Sequence, residues 1–236
     1  WPILLIAIFF IVNFIITNRQ ATHPIVHFHT LFSKKPFVGA TMAISSHLTL
    51  LTGIAGINVY IVRILKLPFD ISLHFYFFFF VGVIITGILK MFFYSSVGAG
   101  FLGTLGSSAL LYVSIHWIIL GNTINIPLLY IQGLLLGFGA SMTLVSGSMA
   151  TLLDGDLKEA AQRSQTMHTI RNFSAAMLIP IIAYTIKNHI QKGTQSIYAE
   201  NITDKMIYLK KLQDVAIDAD HQIFLLMIIF NMVMFV

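Results

Sequence analysis

Residues 72–93 read SLHFYFFFFVGVIITGILKMFF, 22 consecutive positions with one charged side chain, Lys90. Coiled as an α-helix at 1.5 Å per residue, this stretch is about 33 Å long, which matches the bilayer's hydrocarbon core of about 30 Å. Phenylalanine falls on all sides of such a helix, so there is no single apolar stripe for packing on a soluble core. The stretch reads as a transmembrane helix.

The same ruler applied outward gives seven candidate spans, roughly 1–17, 37–62, 72–93, 97–120, 127–153, 167–187 and 222–236. Composition agrees, since 57% of the 236 residues are hydrophobic and 10% charged, whereas an ordinary globular domain is roughly half apolar and about a quarter charged. The expected fold is an all-α polytopic membrane bundle. Trp1 already lies inside an apolar run and Val236 ends one, so the chain reads as a piece of a longer protein. Residues 1–17 lack the basic start and small-residue cleavage site of a signal peptide.

Acidic residues sharpen the partition. All nine (Asp70, Asp154, Asp156, Glu159, Glu200, Asp204, Asp214, Asp218, Asp220) fall between the candidate spans, and only Lys90 and Arg171 put charge within or near the ends of one. Pro36, Pro68 and Pro127 stand at or just before span starts, where a missing N–H costs least. The mixed-charge loop with Asp154, Asp156, Lys158, Glu159 and Arg163 is expected to cap a helix and pair internally. Residues 188–221 read as one long loop, within which Ile202, Met206, Leu209, Leu212 and Ala216 recur at helical spacing and predict a short amphipathic surface helix.

Arg19, Lys34, Lys35, Lys158 and Arg163 share one set of alternate connections, with Lys90 at a span end. The opposite set has Arg63, Lys66 and five lysines in or beside the long loop, whose charges count for less in setting orientation. The first set is therefore expected on the cytoplasmic side, and loop 188–221 outside. The net charge of +5 forms no basic stripe, which argues against a nucleic-acid partner. With no cysteine, the chain has neither disulfides nor thiolate metal sites. Gly98, Gly100, Gly103 and Gly106, and the pair Gly133 and Gly137, are expected to let helix backbones approach closely.

Arg19, Pro24-Ile25-Val26, Leu31-Phe32 and Lys34-Lys35-Pro36-Phe37 follow the first span in an order that resembles the connection after the eighth span of fourteen-span drug:proton antiporters of the major facilitator superfamily. Gln132 to Gly139 (QGLLLGFG) is similar to that family's Arg-Gly-x-Gly-x-Gly stretch, with Gln132 at the arginine. Thr169-Ile170-Arg171-Asn172-Phe173 resembles its Asn-x-x-Arg-x-x-Gly-Gly stretch, with Ser174 to Ala176 in place of the glycines. The resemblance implies the eighth to fourteenth spans: residues 1–17 as a linker span, 18–36 as a cytoplasmic connection and 37–236 as a C-terminal six-helix bundle. That bundle would comprise two inverted three-helix repeats and rock against a missing N-terminal half, with substrate near the midplane.

Candidate pathway residues follow from polarity inside the spans. His47 and Asn58 lie eleven residues apart on one face of the second span, either lining a pore or bonding a neighbouring helix. Arg171 sits about two turns inside the sixth span, where an unpaired cation is costly, and either faces the bundle interior or snorkels to the cytoplasmic headgroups; Gln132, His168 and Asn172 complete the set. His74, His116 and His221 are isolated, and no histidines pair along a helix as a bis-histidine haem site requires. His23, His27 and His29 could be read as a metal cluster, but more simply form a solvated interfacial face. The run from Phe75 to Phe80 reads as lipid-facing and core packing.

The expectation is a non-enzymatic, proton-coupled exporter of amphipathic small organic compounds, without cofactor or metal, in a bacterial inner (plasma) membrane. Its partners would be the lipid bilayer, the missing half, the substrate and protons. The alternative is a cofactor-binding or proton-carrying membrane subunit of a respiratory or lipid-modifying complex.

Overall fold

The computed structural model describes residues 2–22, 24, 26–153, 156–199 and 204–235. His23, Ile25, Asp154, Gly155 and residues 200–203 lie outside them, as do Trp1 and Val236. The described residues form six α-helices and no strand: α1 (Pro2–Gln20), α2 (Lys34–Asn58), α3 (Phe69–Ile118), α4 (Ile126–Leu153), α5 (Ala160–Ala199) and α6 (Lys205–Val233). A π-helical turn, Val59–Ile64, continues α2. Helices α2 to α6 are each long and apolar enough to cross a membrane. The chain is an integral membrane protein whose described residues are helical and without strands.

At 50 residues, α3 would be about 75 Å long if straight, more than twice the bilayer core. Gly98 breaks it: φ is 76° and ψ is 171° there, a region essentially closed to side chains with a Cβ. The two arms on either side carry the expected spans 72–93 and 97–120.

The central element is α4, which packs against α2, α3 and α5. Glycines let it do so. A Cβ on Gly133 would lie 2.8 Å from the Phe75 carbonyl oxygen, and one on Gly137 would collide with that of Phe79, both on the first arm of α3. Gly139 of α4 and Gly106 of the second arm would each place a Cβ within 2.8–2.9 Å of the other's carbonyl oxygen. Lipid tails are as apolar as leucine, so helices associate in membranes through close packing of this kind.

The phenylalanine run divides as its helical spacing requires. Phe75 and Phe79 are buried, Phe77 and Phe80 face outward, and Phe78 stacks on Tyr130 with ring centroids 5.4 Å apart. Phe77, Phe80, Ile84, Ile88 and Met91 form an exposed apolar stripe that suits lipid contact.

Two sequence expectations are corrected. Residues 188–221 are mostly helix rather than loop: α5 continues to Ala199 and α6 already begins at Lys205, with Asp204 accepting a hydrogen bond from the Met206 N–H. Gly193 packs on Val215, and the Tyr198 and Tyr208 rings lie 6.1 Å apart, so the two helices run on together as a hairpin. Polar composition misleads there because a helix pair can keep one buried seam while its other faces are wet. The second correction is Asp220, which lies within α6 at 1% exposure and not between spans. An acidic residue marks a span boundary only if it must face lipid; facing the bundle interior, it need not.

Arg163 shows what the mixed-charge loop does. Its Nε donates to the Thr151 carbonyl at 2.9 Å, and one Nη donates to those of Leu152 (2.9 Å) and Asp156 (2.8 Å), which closes the C-terminus of α4. Glu159 lies 3.7 Å from the other Nη. Carbonyls at a helix end have no partner within the helix, and a buried cation is well suited to them.

Candidate functional site

Helices α2 and α5 meet along two stripes. On α5, Met167, Arg171, Leu178 and Ile182 share a face by their spacing; on α2, Ala40, Ala43, His47 and Leu51 do the same. Ala40 and Ala43 cluster with Met167, while Leu48 and Leu51 pack against Leu178 and Ile182. Between these apolar contacts the register sets His47 against Arg171.

Arg171 is half-buried; its Nε is shielded from solvent and donates to no protein acceptor. His47 is half-buried and His168 exposed, and the charge of Arg171 acts on both rings. Asn172, next along α5, is exposed. Three of the six candidates, His47, His168 and Arg171, thus form one polar group on a partly open face, with Asn172 beside it. A guanidinium with an unused donor and an adjacent imidazole can take a carboxylate, a phosphate or a carbonyl-rich group.

The other two candidates are elsewhere and already bonded. Asn58 accepts from the Tyr76 hydroxyl at 2.9 Å, tying α2 to α3. Gln132 is 1% exposed and its Oε1 accepts from the Trp117 Nε1–H at 2.8 Å, so it is engaged in the α3–α4 core while its Nε2 has no protein partner. Among the described residues no three His, Cys, Asp or Glu side chains gather in metal-binding geometry. His23 lies outside the described residues, and the His27 and His29 rings are 6.0 Å apart.

A cleft of about 570 Å³ separates α1 from α5, lined by apolar side chains that include Phe10, Phe14, Phe28 and Phe173. Arg171 is not among its lining residues.

Among the described residues, three buried charged ones were not among the sequence candidates: Arg163, described above, Lys90 and Asp220. Lys90 donates from Nζ to the carbonyls of Ser141 (3.2 Å) and Met142 (2.7 Å), bridging α3 to α4. Asp220 is buried with both carboxyl oxygens lacking a protein hydrogen-bond partner. The signal for Asp220 was its place in the stripe Ile217, Asp220, Phe224, Met227 and Asn231, all buried at helical spacing. Neither the sequence profiles of known protein families nor the curated proteins give a match to this chain.

Proposed function

We propose that the chain is the C-terminal half of a secondary active transporter of the major facilitator type, exporting amphipathic small organic compounds in exchange for protons. One observation carries the reading: a membrane-span arginine, half-buried opposite His47, whose Nε no protein group accepts. A cation in that place is costly unless it meets a substrate or a carboxylate of a second bundle. The resemblance at Thr169 to Phe173 falls on this same turn of α5.

Helix pairing supports two repeats. Helix α2 packs on α5 and α6, while α4 packs on both arms of α3. Exchanging α2 and the arms of α3 with α4, α5 and α6 maps these pairs onto one another, as repeats would require.

The experiment is proton-coupled dye flux in liposomes holding the complete gene product. Arg171→Lys keeps the charge but loses the planar fork, so flux should be lost with insertion and expression unchanged. Wild-type flux in both Arg171→Lys and Arg171→Gln would overturn the reading. A proton-carrying subunit of a respiratory or lipid-modifying complex is the second reading, favoured by the buried carboxyl of Asp220. A haem absorption band in the purified protein would select it.

A further inference from the structure

Helices α2 and α6 pack antiparallel with a clear register. Gly53 abuts Met227 and Gly56 abuts Phe224: a Cβ would lie 3.2 Å from Met227 Cε at Gly53 and 2.6 Å from Phe224 Cε1 at Gly56. One turn on, the same register sets Tyr60 against Asp220, and the two groups act on each other electrostatically. Here α2 leaves α-helical geometry. The π turn Val59–Ile64 begins, and the Leu65 N–H bonds the Tyr60 carbonyl five residues back at 2.9 Å. Such turns cost helix regularity and are found frequently at functional sites.

Asp220 is 1% exposed, and neither of its carboxyl oxygens is hydrogen-bonded by the protein. None of the surrounding titratable groups hydrogen-bonds it. From α2, the Tyr60 hydroxyl donates to the Gly121 carbonyl. From α6 itself, His221 bonds the Leu120 carbonyl at 2.8 Å, Asp214 accepts from Asn122 at 3.1 Å, and Asp218 is exposed. From α3 and α5, His116 and His189 are half-buried, and neither hydrogen-bonds Asp220. A bare carboxylate at Asp220, buried on α6 between Ile217 and Phe224 of the main hydrophobic cluster, would carry an uncompensated charge in an apolar core.

We propose that Asp220 is a proton-binding site, closed by the π turn of α2. A proton taken from water bonds to one carboxyl oxygen, and the resulting neutral acid is what α2 and α6 enclose. Release to water requires α6 to part from the π turn, because no solvent reaches the group in the packed state. Proton occupancy and the closure of these two helices are therefore linked. Proton binding stands on the burial alone; its use to drive transport rests on the reading above.

Infrared spectra of the full chain in lipid vesicles at neutral pH test this. Wild type minus Asp220→Asn should show loss of one neutral-carboxyl C=O band. That band should fade as pH rises, with recovery in Asp220→Glu. Dicyclohexylcarbodiimide, an apolar reagent whose C=N bond takes up the O–H of a protonated carboxyl, should modify Asp220 in preference to the exposed Asp70, Asp204 and Asp218. Loss of carboxylate bands only, in a folded variant, would overturn the proposal. Disappearance of the neutral band on adding sodium at fixed pH would also overturn it, assigning a metal cation instead. If export is established, proton-driven flux unaffected by Asp220→Asn would remove the coupling role and leave the proton site.

Discussion

Gly39 and Gly147 meet backbone to backbone: a Cβ on Gly39 would lie 2.7 Å from the Gly147 carbonyl oxygen, and one on Gly147 2.6 Å from that of Gly39. Neither backbone can yield without moving α2 or α4. Gly147→Ala is therefore expected to destabilise by about 1–3 kcal/mol, the usual cost of overpacking. Gly87→Ala, on the same bundle but with nothing within 4 Å of its Cβ position, should be neutral or gain about 0.5–1 kcal/mol from helix propensity. Thermal unfolding in detergent compares the two; equal shifts would mean that the α2–α4 contact is looser than described.

At Gly98 the constraint is conformational rather than steric, since φ is 76° and no atom lies within 4 Å of a Cβ built there. Gly98→Ala should cost about 1–3 kcal/mol and push the two arms of α3 toward one continuous helix. Limited proteolysis at 94–99 reads the change, with fewer cuts expected in the variant.

Arg163 holds three carbonyls at the end of α4 and is 1% exposed. Arg163→Met removes the donors and leaves those carbonyls unsatisfied, at roughly 2–4 kcal/mol. Arg163→Lys should recover only part, because one ammonium cannot reproduce the fork. Unfolding midpoints of the two variants check this; full stability in Arg163→Met would mean that water satisfies the carbonyls equally well.

Residue 33 stands at the start of α2 and residue 194 near the end of α5, on opposite ends of the bundle. With the basic connections inside, an impermeant thiol reagent added to intact cells should label Thr194→Cys and leave Ser33→Cys until lysis. The reverse pattern would invert the topology.

Much of the fold was legible because bilayer thickness imposes a length on each helix and glycine spacing marks close contacts at Gly103, Gly106, Gly133 and Gly137; Gly98 and Gly100, expected to do the same, have nothing within 4 Å of a Cβ built there. Helices long and apolar enough to cross a membrane cover the interior apolar runs, and Gly133 and Gly137 do admit the first arm of α3. The hairpin of α5 and α6 was not legible, since a short buried seam such as Gly193 on Val215 leaves most side chains polar. The site divided in the same way. Arg171 and His47 stood out as costly groups in apolar runs, whereas Asn58 and Gln132 look the same in sequence whether they line a pathway or bond Tyr76 and Trp117. Asp220 was hidden by the rule that ends spans at acidic residues, a rule that holds only for faces turned to lipid.

The chain contains no cysteine, so a single introduced thiol reports its own surroundings. If the face where α2 meets α5 lines a substrate pathway, His47→Cys is wetted and forms the thiolate that water-soluble reagents attack. Ile84→Cys, on the exposed apolar stripe of α3, should stay inert in lipid. Reaction at position 47 in membranes, slowed by the exported compound and absent at position 84, is the expected result. A folded His47→Cys protein as unreactive as Ile84→Cys would contradict the pathway assignment, and the transporter reading with it.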